Sequence, residues 1–334
     1  MRPFRAILAL LLIAALPLFG RDWQRCPAVA TVDTQETVYA LGDIHGDYKR
    51  LVTLLVAGHL MTAAPSAPDQ AAWSGGHAIL IVTGDMIDKW DHALDVIALM
   101  RALTASAASQ GGRVVISAGN HEAEFLNDPK SSKTQDFQDE LKAAKIKPLD
   151  VAGGIDSEGI GKFLLCLPFA TRVNDWFFSH AGSTKGRTLT QLIADLQTGF
   201  DASGYKAGVL LDGDSGLLEA RMKPPWWEKP GDKPMDSVAR LFGYADALGV
   251  KHIVFGHQPG GYTFNDGSTR EKGTMFQNFH GLVMLIDVGM SRGVDKTGKG
   301  YSHGALLRID KDTATEIGAD GKEKQIWPAQ NAGQ

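Results

Sequence analysis

From residue 37 onward the chain alternates short, nearly continuous apolar runs with stretches whose apolar positions recur at helical spacing. The apolar runs at Thr37–Leu41, Ala78–Thr83, Arg113–Ala118, Asp175–Ser179, His252–Phe255, Val283–Val288 and Ala305–Ile309 predict strands covered on both faces. Between them, Leu51, Leu54 and Leu55 share one face of a helix after Asp47, and Ala93, Val96, Ile97, Met100 and Leu103 share one face of the next. Strand–helix alternation of this kind predicts an α/β domain with a largely covered sheet. Pro65–Gly76 reads as a loop, residues 126–160 as an insertion over one end of the sheet, and residues 200–235 as a second irregular region carrying Trp226 and Trp227. The chain after Asp310 is polar, and residues 311–334 are expected to fray as a tail. No internal repeat or composition break divides residues 37–310, so one domain is expected there.

The N-terminus has another pattern. Arg2 and Arg5 precede the apolar run Ala6–Phe19, interrupted only by Pro17. A basic start followed by a short apolar stretch reads as a secretory signal. The run falls short of the roughly 20 residues of an ordinary membrane span. Ala28-Val29-Ala30 has the small residues of a cleavage site but lies behind Arg21, Asp22 and Arg25, so a retained anchor stays open beside cleavage. Residues 1–30 are therefore set apart as signal or anchor, which places the protein in the periplasm or tethered at the cytoplasmic membrane. Net charge is −4 with both signs dispersed and no basic run, which argues against nucleic-acid binding. Cys26 and Cys166 are the two cysteines. Cys166, inside the apolar run Phe163–Phe169, reads as a small core hydrophobe, and no disulfide is expected.

Five predicted strands end in a small residue followed by metal-capable side chains. These are Asp43, His45 and Asp47 after Leu41, Asp85 and Asp88 after Thr83, and Asn120, His121 and Glu122 after Ala118. His180 follows Ser179, and His257 follows Phe255 and Gly256. Ligands in α/β sheets gather beyond the carboxyl ends of strands. Alternate residues such as Asp43 and His45 point the same way in extended chain, so both can reach one ion. Mixed oxygen and imidazole donors suit manganese, iron or zinc better than magnesium or calcium.

In this order the five motifs resemble those of the calcineurin-like metallophosphoesterases, in the phosphoprotein phosphatase branch. The run Ile286-Asp-Val-Gly-Met-Ser291 is similar to a segment of the bacterial-type, Shewanella-like protein phosphatases. The likeness covers residues 37–292. It implies a β-sandwich flanked by helices with a dinuclear metal site at the strand ends. It implies that Asp43 and His45 bind the first metal, Asp85 bridges both, and Asn120, His180 and His257 bind the second, manganese foremost. His121 would be the general acid, held by Asp88. The implied reaction is hydrolysis of a phosphate monoester, foremost on a protein serine or threonine. Two cations neutralise the phosphate, and the hydroxide they share attacks phosphorus in line. A histidine beside a carboxylate then protonates the leaving oxygen.

Two departures bear on substrate binding. Where the branch has Arg-Gly after the second motif, this chain has Lys89-Trp90, which keeps the charge but loses the bidentate fork. Arg221 or Arg172 could supply that fork. A second histidine, which another branch carries after the last motif, is replaced by Gln258-Pro259. Glu122 is expected to hold loop amides and Asp287 to shape a turn, while His59, His77, His92, His252, His280 and His303 are expected in solvent or packing roles. Two other functions stay open. A dinucleoside tetraphosphate hydrolase could stack a base on Trp226 or Trp227. A metal-binding pseudophosphatase scaffold would use the same ligands without turnover. The partners expected are a phosphorylated protein or a small phosphoester, with a membrane tether through the N-terminus.

Overall fold

The computed structural model describes residues 20–295 and 297–328. The apolar run Ala6–Phe19 lies outside them. The described strands are β1 (Val29–Val32), β2 (Val38–Leu41), β3 (Ile79–Val82), β4 (Arg113–Ile116), β5 (Ala170–Val173), β6 (Trp176–Ser179), β7 (His252–Phe255), β8 (Tyr262–Thr263), β9 (Thr269–Arg270), β10 (Phe276–Asn278), β11 (Val283–Leu285), β12 (Ala305–Asp310), β13 (Thr313–Gly318) and β14 (Glu323–Trp327). The described helices are α1 (Tyr48–Ala57), α2 (Ala93–Ser109), α3 (Asn120–Asn127), α4 (Gln135–Ala143), α5 (Pro148–Ala152), α6 (Ile160–Leu164), α7 (Leu189–Ser203) and α8 (Pro234–Leu248).

Two six-stranded sheets form the body, one in the order β1-β5-β6-β7-β11-β10 and the other β14-β13-β12-β2-β3-β4. Each has a parallel block, β6-β7-β11 inside the first and β2-β3-β4 at one end of the second. Strands β3, β6, β7 and β11 are buried along their whole length, as their unbroken apolar sequences require. Six strand carboxyl ends, three from each sheet, thus converge, and the expected sandwich with helices on its flanks is what the chain forms. All seven predicted strands are present, within a few residues at the ends.

Three expectations are corrected. Residues 20–30 are built into the fold, not set apart from it. Strand β1 pairs in parallel with β5 from Val29↔Ala170 to Val32↔Val173, and Ala28 is buried, so Ala28-Val29-Ala30 belongs to the first sheet. The Arg21 guanidinium packs on Trp23 and Phe169 at 5.0 and 4.8 Å and donates to the Leu167 carbonyl at 2.7 Å. This return of the chain along β5 brings Cys26 beside Cys166, and the two form a disulfide with their Cα atoms 4.8 Å apart. Cys166 is half-buried at the loop after α6 and is not a core thiol. Finally, the polar stretch after Asp310 continues as the β13–β14 hairpin, whose alternating side chains extend the second sheet.

Candidate active site

Each candidate ligand leaves its strand at the convergence. Asp43 and His45 follow β2, Asp85 follows β3, Asn120 and His121 open α3 after β4, His180 follows β6, and His257 follows β7. All are buried. His45 Nε2 lies 3.7 Å from Asp43 Oδ2 and 3.5 Å from Asp85 Oδ2. His180 Nε2 lies 3.2 Å from the same Asp85 oxygen, 3.0 Å from Asn120 Oδ1 and 3.1 Å from His257 Nδ1. Asp85 therefore sits between two donor groups, as a bridging ligand must. The side-chain donors of Asp85, His180 and His257, and separately those of His45, Asp85 and His121, lie within 4.8 Å of one another.

Backbone partners orient these rings. His45 Nδ1 lies 3.2 Å from the Ile87 carbonyl and His180 Nδ1 3.1 Å from the Thr83 carbonyl. A carbonyl only accepts, so each Nδ1 carries the proton and each Nε2 faces the cluster with a lone pair. The His257 Nε2 has no hydrogen-bond partner. Lone pairs of a carboxylate, an amide and two imidazoles crowded this closely call for a cation, and the donor set fits a pair of divalent metals. The charges tell the same story. Burial pushes the Asp43 carboxyl well above its ordinary range, and neighbouring Asp287 adds to the push. At Asp85 burial pushes up, but His180 and His121 outweigh it and hold the carboxyl well below. Burial lowers His180, yet Asp85 and Asp43 raise it to about 9, which marks how much negative charge faces this ring.

Glu122 behaves as expected of a loop organiser. Its buried carboxylate accepts from the amides of Gly119 (2.8 Å), Asp85 (3.0 Å), Met86 (2.8 Å) and Ile87 (3.1 Å), fastening the β3 and β4 loops together. Asp43 Oδ1 accepts from the His257 amide at 2.9 Å, which ties β2 to β7 across the sandwich. A side chain at Gly256 would strike that same oxygen, so only glycine fits there. At one edge His121 Nδ1 donates to Asp88 Oδ2 at 3.0 Å, and the Phe137 amide of α4 donates to Asp88 Oδ1 at 3.2 Å. The insertion at 126–160 thus supplies a support for Asp88.

A cleft of about 480 Å³ opens onto the cluster, walled by Lys89, Arg221, Lys223, Gln258, Tyr262 and Tyr301. Lys89 Nζ lies 3.1 Å from His45 Nε2. Arg172 is elsewhere, on β5 beside Asp33 at 3.5 Å, and cannot reach the cleft. Trp226 and Trp227 are also not cleft walls. They are buried against Tyr244, Phe255, Phe264 and Phe279, because the region around them packs its aromatic rings inward. Asp287 shapes the turn after β11, accepting from the Gly289 amide at 2.8 Å, and is buried beside Asp43. His252 stacks on Trp176 with ring centres 3.8 Å apart, a packing role.

Sequence reasoning missed Arg270. Its buried guanidinium donates to the carbonyls of Thr274, Gln258 and Asp287 and faces the carboxylates of Asp287 and Asp43. Burial pulls its pKa down to about 10. The segment around it, Ser268-Thr-Arg-Glu-Lys272, is polar throughout and reads as loop, so nothing in the pattern marks Arg270 as interior.

Comparison with known proteins agrees with this geometry. Residues 36–261 match the model of the calcineurin-like phosphoesterase family. An uncharacterised protein of Schizosaccharomyces pombe is 27% identical over 86% of this chain and 81% of its own. Shewanella-like protein phosphatase 1 of Plasmodium berghei is 25% identical over 86% and 76%. Among solved structures, a cold-active protein-tyrosine phosphatase of a psychrophilic Shewanella superposes with a TM-score of 0.65 at 22% identity, covering 89% of this chain and 82% of that one. A protein serine/threonine phosphatase from Saccharomyces cerevisiae superposes with a TM-score of 0.52 at 14% identity, covering 87% and 79%. With its donors meeting at the strand ends of both sheets, this chain belongs to the calcineurin-like phosphoesterase family and is a metal-dependent phosphoesterase.

Proposed function

We propose that the enzyme hydrolyses phosphate monoesters on proteins, phosphoserine and phosphothreonine foremost, with Asp43, His45, Asp85, Asn120, His180 and His257 holding two divalent cations. When bound, the pair supplies positive charge for the phosphate oxygens and acidifies water beside them. Manganese suits the mixed donor set best, with iron or zinc as the other fits. The remaining work falls to the chain. Lys89 and Arg221 bring cations to the mouth of the cleft, where a dianionic phosphate would sit. His121, its Nδ1 proton committed to Asp88, keeps the other ring nitrogen for proton delivery to the leaving oxygen. Asp88, itself oriented by two donors, keeps His121 in the tautomer that role needs.

The observation that carries this reading is the His121–Asp88 pair standing 5.0 Å (ring to ring) from His45, next to the ligand cluster and under a cationic mouth. A pseudophosphatase would have no use for that pair. A dinucleotide hydrolase loses its base-stacking platform, since both tryptophans are buried. The relatives' names favour phosphoproteins, and they include tyrosine as well as serine and threonine. The disulfide supports an exported protein, because such bonds persist in oxidising compartments. We place it in the periplasm or tethered to the membrane facing it. Among the described residues no helix is long and apolar enough to cross a membrane.

A panel of phosphoserine, phosphothreonine and phosphotyrosine peptides, diadenosine tetraphosphate and an aryl phosphate, assayed with the manganese-loaded protein, tests the proposal. Turnover of phosphopeptides and its loss in His121→Asn are expected. Turnover of the dinucleotide alone, or none of any substrate, would overturn it.

A further inference from the structure

The segment after Asp287 grips the loops that carry His45 and Lys89, through contacts that are not needed to complete a strand. Ser291 Oγ donates to the His45 carbonyl at 3.0 Å. Arg292 donates from its amide (3.0 Å) and Nε (2.9 Å) to Asp47 Oδ2, and from Nη2 (2.8 Å) to Asp47 Oδ1, a two-pronged clamp on a fully buried carboxylate. The same guanidinium lies over the Trp90 ring at 4.7 Å. Gly293 presses on the backbone of the second motif so closely that a Cβ there would overlap the Lys89 carbonyl oxygen.

The loop being pressed has need of support. Asp88 and Lys89 hold left-handed backbone, with φ of +68° and +63°, a conformation that side chains other than glycine adopt at a cost. A lysine is a point charge on a flexible stem, without the rigid fork by which an arginine defines its own geometry. Its Nζ reaches the ligand cluster, 3.1 Å from His45 Nε2, and a shift of the backbone from which the stem springs would carry the charge away from there. Arg292 holds one side of that backbone through Trp90, and Gly293 holds the other through the Lys89 carbonyl.

We propose that Arg292 and Gly293 are positioning residues that aim Lys89 at the substrate phosphate, a role that rests on the reading of Lys89 as a phosphate contact. The strap does for the lysine what planarity does for an arginine.

The test is a double-mutant cycle on the manganese-loaded enzyme, with steady-state kinetics on a phosphopeptide, inhibition by inorganic phosphate, and metal content per chain. Gly293→Ala is expected to raise KM and the phosphate inhibition constant about tenfold together, with kcat within about threefold, the mark of lost uniform binding. Metal content should not change. In a Lys89→Ala background, which itself raises KM, Gly293→Ala should add less than about twofold, because residues acting through one group are non-additive. Arg292→Lys keeps the charge but loses the fork, and should shift the same two constants less than Arg292→Ala does. It also covers the case in which Gly293→Ala fails to fold. Multiplied KM effects in the Lys89→Ala background, a fall in kcat at unchanged KM, or metal loss in the strap variants would overturn the positioning role alone. An unchanged KM and phosphate inhibition constant in Lys89→Ala by itself would remove the phosphate-contact reading and the strap's role with it.

Discussion

Left-handed backbone gathers in the cleft. His45, Asp85, Asp88, Lys89 and His257 all have φ between +46° and +70°. Each such residue costs on the order of 1 kcal/mol or more, and it persists only where its surroundings over-determine it. Here the surroundings are buried charges with several partners each: Glu122 under the β3 loop, Asp47 under Arg292, and Arg270 under the turn at Asp287. Arg270 has the most to lose. Arg270→Leu would leave three carbonyls without their donor and two buried carboxylates without the positive charge they face, and should destabilise the metal-free protein by about 3–5 kcal/mol. Denaturant unfolding would measure it. A loss below about 1 kcal/mol would mean that water replaces the guanidinium there.

Elements showed themselves in the sequence to the extent that burial wrote them. The central strands β2, β3, β6, β7 and β11 are apolar without a break because helices or the opposing sheet cover both faces, so their positions were legible. The five motifs were legible because each follows an apolar run, four of them after these strands and one after β4. The strands toward the sheet margins were harder. β5 has few apolar residues, and its turn to β6 at Asn174-Asp175, with Asn174 at φ +51°, is a short-range hairpin signal that composition alone hides. The β13–β14 hairpin alternates polar and apolar residues around Asp320-Gly321 and passes for a frayed tail unless that turn is weighed. Arg270 and the disulfide were not legible at all, since both depend on which distant segments become neighbours. The disulfide closes a separation of 140 residues and clips β1 to the body. By the chain-entropy argument a loop of this length is worth about 5 kcal/mol, so Cys26→Ser/Cys166→Ser should lose up to that much. The thermal midpoint of the double variant beside that of the reduced parent checks this, and an unmoved midpoint in both would show that the β1–β5 pairing and Arg21 hold the segment unaided.

At the scale of the molecule, the sandwich is a device for bringing two sets of parallel strand ends together. Neither sheet alone carries a complete donor set, since Asp43, His45, Asp85 and Asn120 come from one and His180 and His257 from the other. Asp43 accepting from the His257 amide and His180 lying against Asp85 show how closely the two halves meet. Sheet packing and metal affinity should therefore be linked, and Asp85, which touches donors from both halves, is where the link is tightest. Metal content per chain, measured together with phosphoester turnover in the parent and in Asp85→Asn, tests that junction. Two ions are expected in the parent. In the variant both should be retained poorly and turnover should fall by more than about 100-fold, beyond what altering a mere supporting partner costs, with the fold intact by circular dichroism. Unchanged metal content and unchanged turnover in Asp85→Asn would contradict a shared pair of cations at this site.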